Sequence, residues 1–169
     1  MMEKAQVAIL MGSDSDLEIM NEAASALKDF GVSYEIQVLS AHRSPEDVRG
    51  YVKQAKGNGT RIFICGAGGA AHLAGTVAAQ TTLPVIGVPM PSALLGLDSL
   101  LSTAQMPAGV PVATVAVGKA GARNAGILAC QMLALQDKAL SEKLEAFKKK
   151  MVAAIRKKNE NLGSQLRPR

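Results

Sequence analysis

Residues 6–16 have the sequence Gln6-Val7-Ala8-Ile9-Leu10-Met11-Gly12-Ser13-Asp14-Ser15-Asp16. The run from Val7 to Met11 is short and continuously apolar, which is typical of a strand buried on both faces. The glycine, serines and aspartates that follow favour a turn and a helix start, and a helix-like pattern then continues to Phe30, just before Gly31. The stretch therefore predicts a strand, a loop and a helix in that order.

The same order recurs along the chain. Further strands are expected at 34–39, 61–65, 84–88 and 111–117, and further helices at 45–56, 72–80, 98–104, 120–135 and 141–161. Continuously apolar strands that alternate with helices predict a parallel sheet covered on both faces. We expect an α/β fold of three layers, a doubly wound, flavodoxin-like sheet with five core strands in the order 2-1-3-4-5 and a C-terminal helical extension.

Length and composition are consistent with one folded domain. The chain has 169 residues, of which 48% are hydrophobic and 20% charged, which is too apolar for a disordered chain. We expect a single α/β domain over 1–162, including the C-terminal helix, and a frayed tail over 163–169. No apolar run approaches the roughly 20 residues of a membrane span, and the N-terminus does not resemble a secretory signal. Cys65 and Cys130 lie in apolar runs as buried free thiols, which suits a reducing cytoplasm.

The basic residues are concentrated at the C-terminus. The formal net charge is +5, but ten of the 19 basic residues and only four of the 14 acidic ones lie in 137–169. This segment has Phe147 as its one aromatic residue, whereas proteins that bind single strands usually interleave positive charge with stacking rings. We therefore interpret the tail as the solvated face of a helix and expect neither a nucleic-acid nor a membrane partner.

Three unusual loops follow the first three predicted strands. They cover 12–16, 40–44 and 66–72, and the chain's two histidines, His42 and His72, both lie in them. In a doubly wound sheet, ligands bind at the carboxyl ends of the strands where the strand order reverses, which here is between strands 1 and 3. We therefore expect the binding site to form from these loops.

The first two loops offer groups for a phosphorylated ligand. Ser13 lies at a helix start, where backbone N–H groups favour an anion, and Arg43 could clamp a phosphate. Asp16 argues against a highly charged nucleotide but suits hydrogen bonds to ribose hydroxyls. The residues alone leave open that the serines and aspartates are simply helix caps and that Arg43 is solvated.

The third loop invites comparison with a dinucleotide fingerprint, since Gly66, Gly68 and Ala71 match G-x-G-x-x-A. The match is weak, because the loop follows the third strand and no acidic residue stands about 20 positions on. No phosphate-binding P-loop is present either, so ATP use has no support. The small residues would let the backbone approach a flat ligand closely, or they would simply pack tightly.

His42 is the candidate with the greatest chemical potential, because imidazole gives and takes protons near neutral pH. A solvent-facing ring is the alternative, and for His72 ligand contact and a helix-start role are equally open. Neither a metal-binding cluster nor a spacing typical of nucleophilic catalysis stands out, so no metal is expected.

Together these loops resemble the bacterial N5-carboxyaminoimidazole ribonucleotide mutase family (PurE, class I). The resemblance spans roughly residues 6–136. The matching segments cover 11–16, 40–45, 66–73, 87–89, 98–100, 105–107 and 109–114. Ala74 stands where the family commonly has proline, and Thr103 and Ala104 replace a more apolar pair, which affects local packing and leaves the chemical groups in place.

The resemblance implies a cofactor-free isomerase of purine (IMP) biosynthesis, which moves a carboxylate from the exocyclic nitrogen of an aminoimidazole ribonucleotide to its ring carbon. It implies loss and recapture of CO₂ in a closed pocket, with His42 as the catalytic proton shuttle. It places Ser13, Asp16 and Arg43 on phosphate and ribose. The residues that it implies line the base and the migrating carboxylate are Ser40, Ala41, Gly68, Gly69, His72 and Leu73. It also implies a homo-oligomer, an octamer with sites shared between subunits.

Three other functions compete with this one. The nearest is a direct carboxylase, which makes the same product from free CO₂ and the uncarboxylated ribonucleotide; Arg43 and the 66–73 loop resemble the mutase branch. The second is a non-catalytic flavodoxin-like receiver or nucleotide sensor, although a receiver needs an aspartate after its third strand, where this chain has Cys65-Gly66-Ala67. The third is flavin-mediated electron transfer, which the 3% aromatic content disfavours.

Overall fold

The computed structural model describes residues 4–165. Within this range the chain forms a parallel sheet of five strands, which are β1 (Val7–Met11), β2 (Tyr34–Val38), β3 (Ile62–Ala67), β4 (Val85–Pro89) and β5 (Ala113–Thr114). The strand order is β2-β1-β3-β4-β5, and every pairing is parallel. The predicted flavodoxin-like order 2-1-3-4-5 is therefore confirmed.

Helices follow the strands. They are α1 (Leu17–Phe30), α2 (Pro45–Ala55), α3 (Leu73–Ala78), α4 (Leu97–Ala104), α5 (Gly118–Ala134) and α6 (Lys138–Gln165), and a single 3-10 turn (Asp14–Asp16) precedes α1. α1 ends where Gly31 adopts a left-handed φ of 76° and its N–H returns to the last turn, which is the usual role of glycine after a helix. α2 begins at Pro45, whose missing N–H costs nothing at a first helical position.

Both faces of the central sheet are covered. Every residue of β1 and β4 is buried. On one face, Leu10, Phe63 and Cys65 pack with residues of α2 and α3 in one apolar cluster. On the other face, a side chain at Gly66 would overlap Met20 of α1. The three layers follow from this burial, because strands with no exposed face need helices on both sides.

Two compact units divide the chain between Ala129 and Cys130. The first contains the sheet. In the second, every residue from Lys148 to Leu162 of α6 is exposed, as the sequence predicts for a solvated helix. Over 4–165, no helix is both long and apolar enough to cross a bilayer. The single domain expected over 1–162 stays a prediction. A frayed tail is expected over 163–169. The backbone of α6 continues to Gln165, and 166–169 lie outside the described residues.

Two elements differ from the expected bounds by three residues or more, whereas the others agree within two residues at each end. The fifth strand is two residues long rather than the seven of 111–117, since its pairing with β4 is limited to Ala113 and Thr114. At its start, Pro111 has no N–H to donate to a ladder. The last helix starts at Lys138, three residues before the expected Ser141, because the Asp137 side chain accepts the Leu140 N–H at 3.0 Å and so caps the helix earlier.

Both cysteines are buried, as predicted. Burial raises the pKa of the Cys65 thiol well above its usual range and raises that of Cys130 to about 11. Since the thiolate is the reactive form, both behave as small apolar side chains.

Candidate active site

The loops that leave β1, β2 and β3 surround one cavity of about 380 Å³. It lies at the carboxyl ends of these strands, where the strand order reverses. Its lining residues are Gly12, Ser13, Ser15, Asp16, Ser40, Ala41, His42, Arg43, Ala67, Gly68, Ala71, His72 and Leu73. The structure thus brings together nine of the ten residues named from the sequence; their individual roles stay predictions.

Gly69 is the tenth, and it lies outside the lining. Its backbone N–H donates to Ser99 Oγ at 3.0 Å, on the side of α4. Four further lining residues lie in the expected loops but were not named individually as site residues, namely Gly12, Ser15, Ala67 and Ala71. All four adjoin predicted ones in the chain, so the signal was their place in the same loops.

The two histidines contact each other in this cavity. His42 Nε2 lies 2.7 Å from His72 Nδ1, and the rings meet edge to face with centroids 4.8 Å apart. Both side chains are also exposed to solvent in the single chain. At this distance one proton lies between the two nitrogens, so the tautomer of each ring depends on the other.

Arg43 joins the first two loops. Its Nη2 donates to the carbonyl oxygen of Gly12 at 2.5 Å, and its Nε donates to Ser40 Oγ at 3.3 Å. The guanidinium is therefore held at the cavity rather than pointing freely into water. A planar guanidinium in this position presents its remaining N–H groups to an anion.

Ser44 fixes the second loop in an unexpected way. It occupies the position before α2, where a serine commonly caps the helix, but its hydroxyl makes no such cap. Instead, Ser44 Oγ accepts the Ser40 N–H at 3.2 Å and donates to the Ser40 carbonyl oxygen at 3.3 Å. The Ser44 N–H also donates to that carbonyl oxygen, at 3.0 Å. The loop that presents His42 and Arg43 is thereby closed at its base.

The first loop supplies the carboxylate of the site. Burial raises the pKa of Asp16, against the opposing effects of a hydrogen bond from the Ser13 backbone, one from Ser15, and the positive charge of Arg43. Ser13 Oγ accepts the Ser15 N–H at 3.4 Å, so it caps the 3-10 turn while also lining the cavity. Both interpretations of this loop, as cap and as cavity wall, hold for Ser13.

The third loop depends on left-handed backbone. Gly69 has a φ of 63° and Ala71 a φ of 47°, and the Ala71 N–H donates to the Gly68 carbonyl oxygen at 3.1 Å. A left-handed φ is easy for glycine and unfavourable for alanine, so surrounding contacts must hold this turn. The turn ends at His72, directly before α3.

The arrangement can therefore hold an anionic, hydroxyl-rich ligand against two imidazoles. The guanidinium and the turn at Ser13 suit a phosphate, the Asp16 carboxylate suits hydroxyl donors, and the imidazole pair can give and take a proton.

The chain is similar to known proteins over most of its length. The family model described as AIR carboxylase matches residues 6–154. A protein of Pyrococcus horikoshii named N5-carboxyaminoimidazole ribonucleotide mutase is 52% identical over 161 residues, which cover 95% of this chain and 90% of that protein. Mutases of the same name from Brucella melitensis and Mycobacterium leprae are each 50% identical and cover 92% and 96% of this chain, and 96% and 94% of their own lengths.

Solved structures agree as well. The crystal structure of Treponema denticola PurE superimposes with a TM-score of 0.84 at 30% identity, over 92% of this chain and 97% of that one. A variant of PurE2 from the same organism gives a TM-score of 0.86 at 28% identity, over 95% and 99%. The resemblance seen in the sequence is confirmed: the chain belongs to the family described as AIR carboxylase, alongside the N5-carboxyaminoimidazole ribonucleotide mutases.

Proposed function

We propose that this enzyme is an N5-carboxyaminoimidazole ribonucleotide mutase, which makes 4-carboxyaminoimidazole ribonucleotide for purine (IMP) biosynthesis. The observation that carries the proposal is the meeting of His42, His72 and Arg43 in one cavity. A proton-transferring group and an anion-binding group stand there side by side, in a chain about half identical to proteins of that name.

The reaction needs one proton to be delivered and one to be removed. The bond between the exocyclic nitrogen and the carboxylate carbon breaks, CO₂ departs, and the electron pair left on nitrogen takes a proton from the His42 imidazolium. The ring carbon next to the one that carries this nitrogen then attacks CO₂. Neutral His42 removes the proton from that carbon, which restores the aromatic ring and the imidazolium. No net proton is consumed, so one imidazole serves both steps.

His72 supports this shuttle through the 2.7 Å contact between the two rings. A proton between Nε2 of His42 and Nδ1 of His72 leaves the opposite nitrogen of His42, Nδ1, for the substrate. The partner ring thereby orients His42 and shares the charge that it carries between the steps.

The nucleotide part of the substrate is held by the first two loops. We assign the phosphate to Arg43 and the backbone near Ser13, and the ribose hydroxyls to Asp16. The backbone of Ser40, Ala41, Gly68 and Leu73 flanks the base, and Gly69 acts through the shape of the loop, since it lies outside the lining. Small residues at 67, 68 and 71 leave room for a flat ring.

The mechanism requires neither cofactor nor ATP, and we propose that the enzyme works as a homo-octamer in the cytoplasm. A trapped CO₂ needs a site closed to bulk water. Both imidazoles are exposed in the single chain, so a neighbouring copy that covers them would complete the enclosure.

The direct carboxylase is the rival function, and substrate choice separates the two. Purified enzyme should convert the N-carboxylated ribonucleotide without ATP, metal or added bicarbonate. Product formed only from the uncarboxylated ribonucleotide plus bicarbonate would establish the carboxylase instead, and inactivity with both substrates would leave a binding module.

A further inference from the structure

A chain of side-chain hydrogen bonds contacts the glycine-rich loop through residues that do not line the cavity. Ser99 Oγ accepts the Gly69 N–H at 3.0 Å and lies 3.0 Å from Ser92 Oγ, and Ser92 Oγ donates to Asp98 Oδ1 at 2.5 Å. The Ser99 side chain is fully buried at the start of α4. The proposed mechanism gives these three side chains no role.

Counting protons fixes the direction of this chain. The Ser92 hydroxyl proton is committed to the Asp98 carboxylate, so toward Ser99 the Ser92 oxygen can only accept. Ser99 therefore donates its proton to Ser92, and its oxygen is left to accept the Gly69 N–H. Every hydrogen bond points toward the carboxylate, and such aligned bonds reinforce one another.

The Asp98 carboxylate, which ends this series of hydrogen bonds, is ionised at neutral pH. The hydroxyl of Ser92 is the main reason why the pKa of the Asp98 carboxyl lies below its ordinary value. An ionised acceptor makes the bond from Ser92 charge-assisted, which agrees with its short length.

These hydrogen bonds hold one peptide group of the glycine-rich loop in place. The peptide between Gly68 and Gly69 is held at both ends, since its N–H donates to Ser99 and its carbonyl oxygen accepts the Ala71 N–H at 3.1 Å. The left-handed φ of Ala71 follows within this turn, and the next residue is His72. The orientation of this peptide therefore sets the position of the His72 backbone, from which the imidazole ring extends.

We propose that Ser99, backed by Ser92 and Asp98, is a positioning residue that orients the Gly68–Gly69 peptide and so places His72 against His42. It touches neither substrate nor reacting atoms. Its kinetic effect rests on the proposed function, whereas its effect on the two imidazoles does not.

The test compares Ser99→Ala with Ser102→Ala in the full chain. Ser102 is an exposed serine of the same helix and a matched control. We expect Ser99→Ala to lower kcat by about tenfold to a hundredfold, as small misplacements in active sites do, with KM nearly unchanged. The chain has two histidines, so their side-chain nitrogen NMR signals are readily assigned. These signals should shift in Ser99→Ala and stay in place in Ser102→Ala.

Two further variants keep the test decisive if Ser99→Ala does not fold. Ser92→Ala and Asp98→Asn leave the bond between Gly69 and Ser99 possible but remove its backing, so smaller shifts of the same histidine signals are expected. Wild-type imidazole signals in every folded variant, or equal changes in Ser102→Ala, would overturn the positioning role. An inactive wild type would refute the proposed function, and the NMR comparison would still decide this one.

Discussion

His42 Nε2 and His72 Nδ1 are 2.7 Å apart although 30 residues separate them in the chain. The contact exists because the loops after β2 and β3 both open toward the end of β1, which lies between those strands. In the proposed mechanism both imidazole rings therefore take part in the proton shuttle.

The first prediction concerns His72 Nδ1, the atom that contacts His42. Asparagine can place a polar atom near the position of Nδ1, whereas phenylalanine keeps the ring shape and removes the hydrogen bond. We expect His72→Phe to lower kcat by about tenfold to a hundredfold, within the range of proton-transfer catalysis, and His72→Asn to lose less. Steady-state kinetics on both variants provide the measurement; full activity in His72→Phe would show that the contact is dispensable.

The second prediction tests the phosphate role of Arg43. Arg43→Ala should weaken ribonucleotide binding by about 1.5–3 kcal/mol, the usual contribution of a hydrogen bond to a charged group, and weaken binding of the phosphate-free nucleoside far less. Calorimetry with both ligands gives the comparison. Arg49→Ala, which removes an exposed arginine paired with Glu46 on α2, is the control. Equal losses for the two ligands would rule out the phosphate contact.

A third prediction follows from the raised pKa of Asp16. Its partly buried carboxylate is less favourable ionised in the folded state than in the unfolded one, so stability falls as pH rises from the unfolded pKa through the folded pKa. Asp16→Asn should therefore be more stable than wild type at neutral pH, by less than about 1 kcal/mol because water still reaches the group. The difference should vanish below the unfolded pKa, where both side chains are neutral.

Urea unfolding at neutral and acidic pH measures this difference. Ribonucleotide binding should move in the opposite direction, because the variant loses the ribose contact. An Asp16→Asn protein less stable than wild type at neutral pH would contradict the assignment of burial as the main cause.

The fourth prediction concerns packing in the sheet. A Cβ at Gly87 would overlap Thr103 Cγ2 and lie 2.9 Å from Val112 Cγ1, and both belong to stiff, β-branched side chains. Gly87→Ala should cost about 1–3 kcal/mol of stability, as overpacking of a core does. At Gly50, within α2, the described residues leave open space around a Cβ. Gly50→Ala should therefore stabilise the protein by about 0.5–1 kcal/mol; similar unfolding midpoints for the two variants would contradict this.

Much of this structure could be predicted from the sequence. Apolar runs such as Val7–Met11 specify buried parallel strands, and the rule that ligands bind at the carboxyl ends of such strands locates the cavity. The pattern was weaker at the sheet edge, where Pro111 interrupts an apolar run and β5 is short.

Side-chain direction could not be predicted in the same way. Ser44 and Ser99 are both serines near helix starts, and the residue type alone suggests a cap for each. In the structure the Ser44 hydroxyl bonds back to Ser40, and that of Ser99 accepts the N–H of Gly69, 30 residues away. The Gly69 partner of Ser99 depends on which segments the fold brings together, which local patterns do not encode. The bond of Ser44 is local, but residue type alone does not decide between capping α2 and bonding back to Ser40.

The central claim is that His42 carries the proton in a mutase reaction, and one variant tests it most directly. Product formation from the N-carboxylated ribonucleotide should be measured for wild type and His42→Asn, without ATP, metal or bicarbonate, with product binding measured for both. The account predicts turnover by the wild type and a loss of activity of about 10²–10⁴-fold in the variant, with product binding retained. This is the range of general acid–base catalysis. Wild-type turnover in His42→Asn would contradict it.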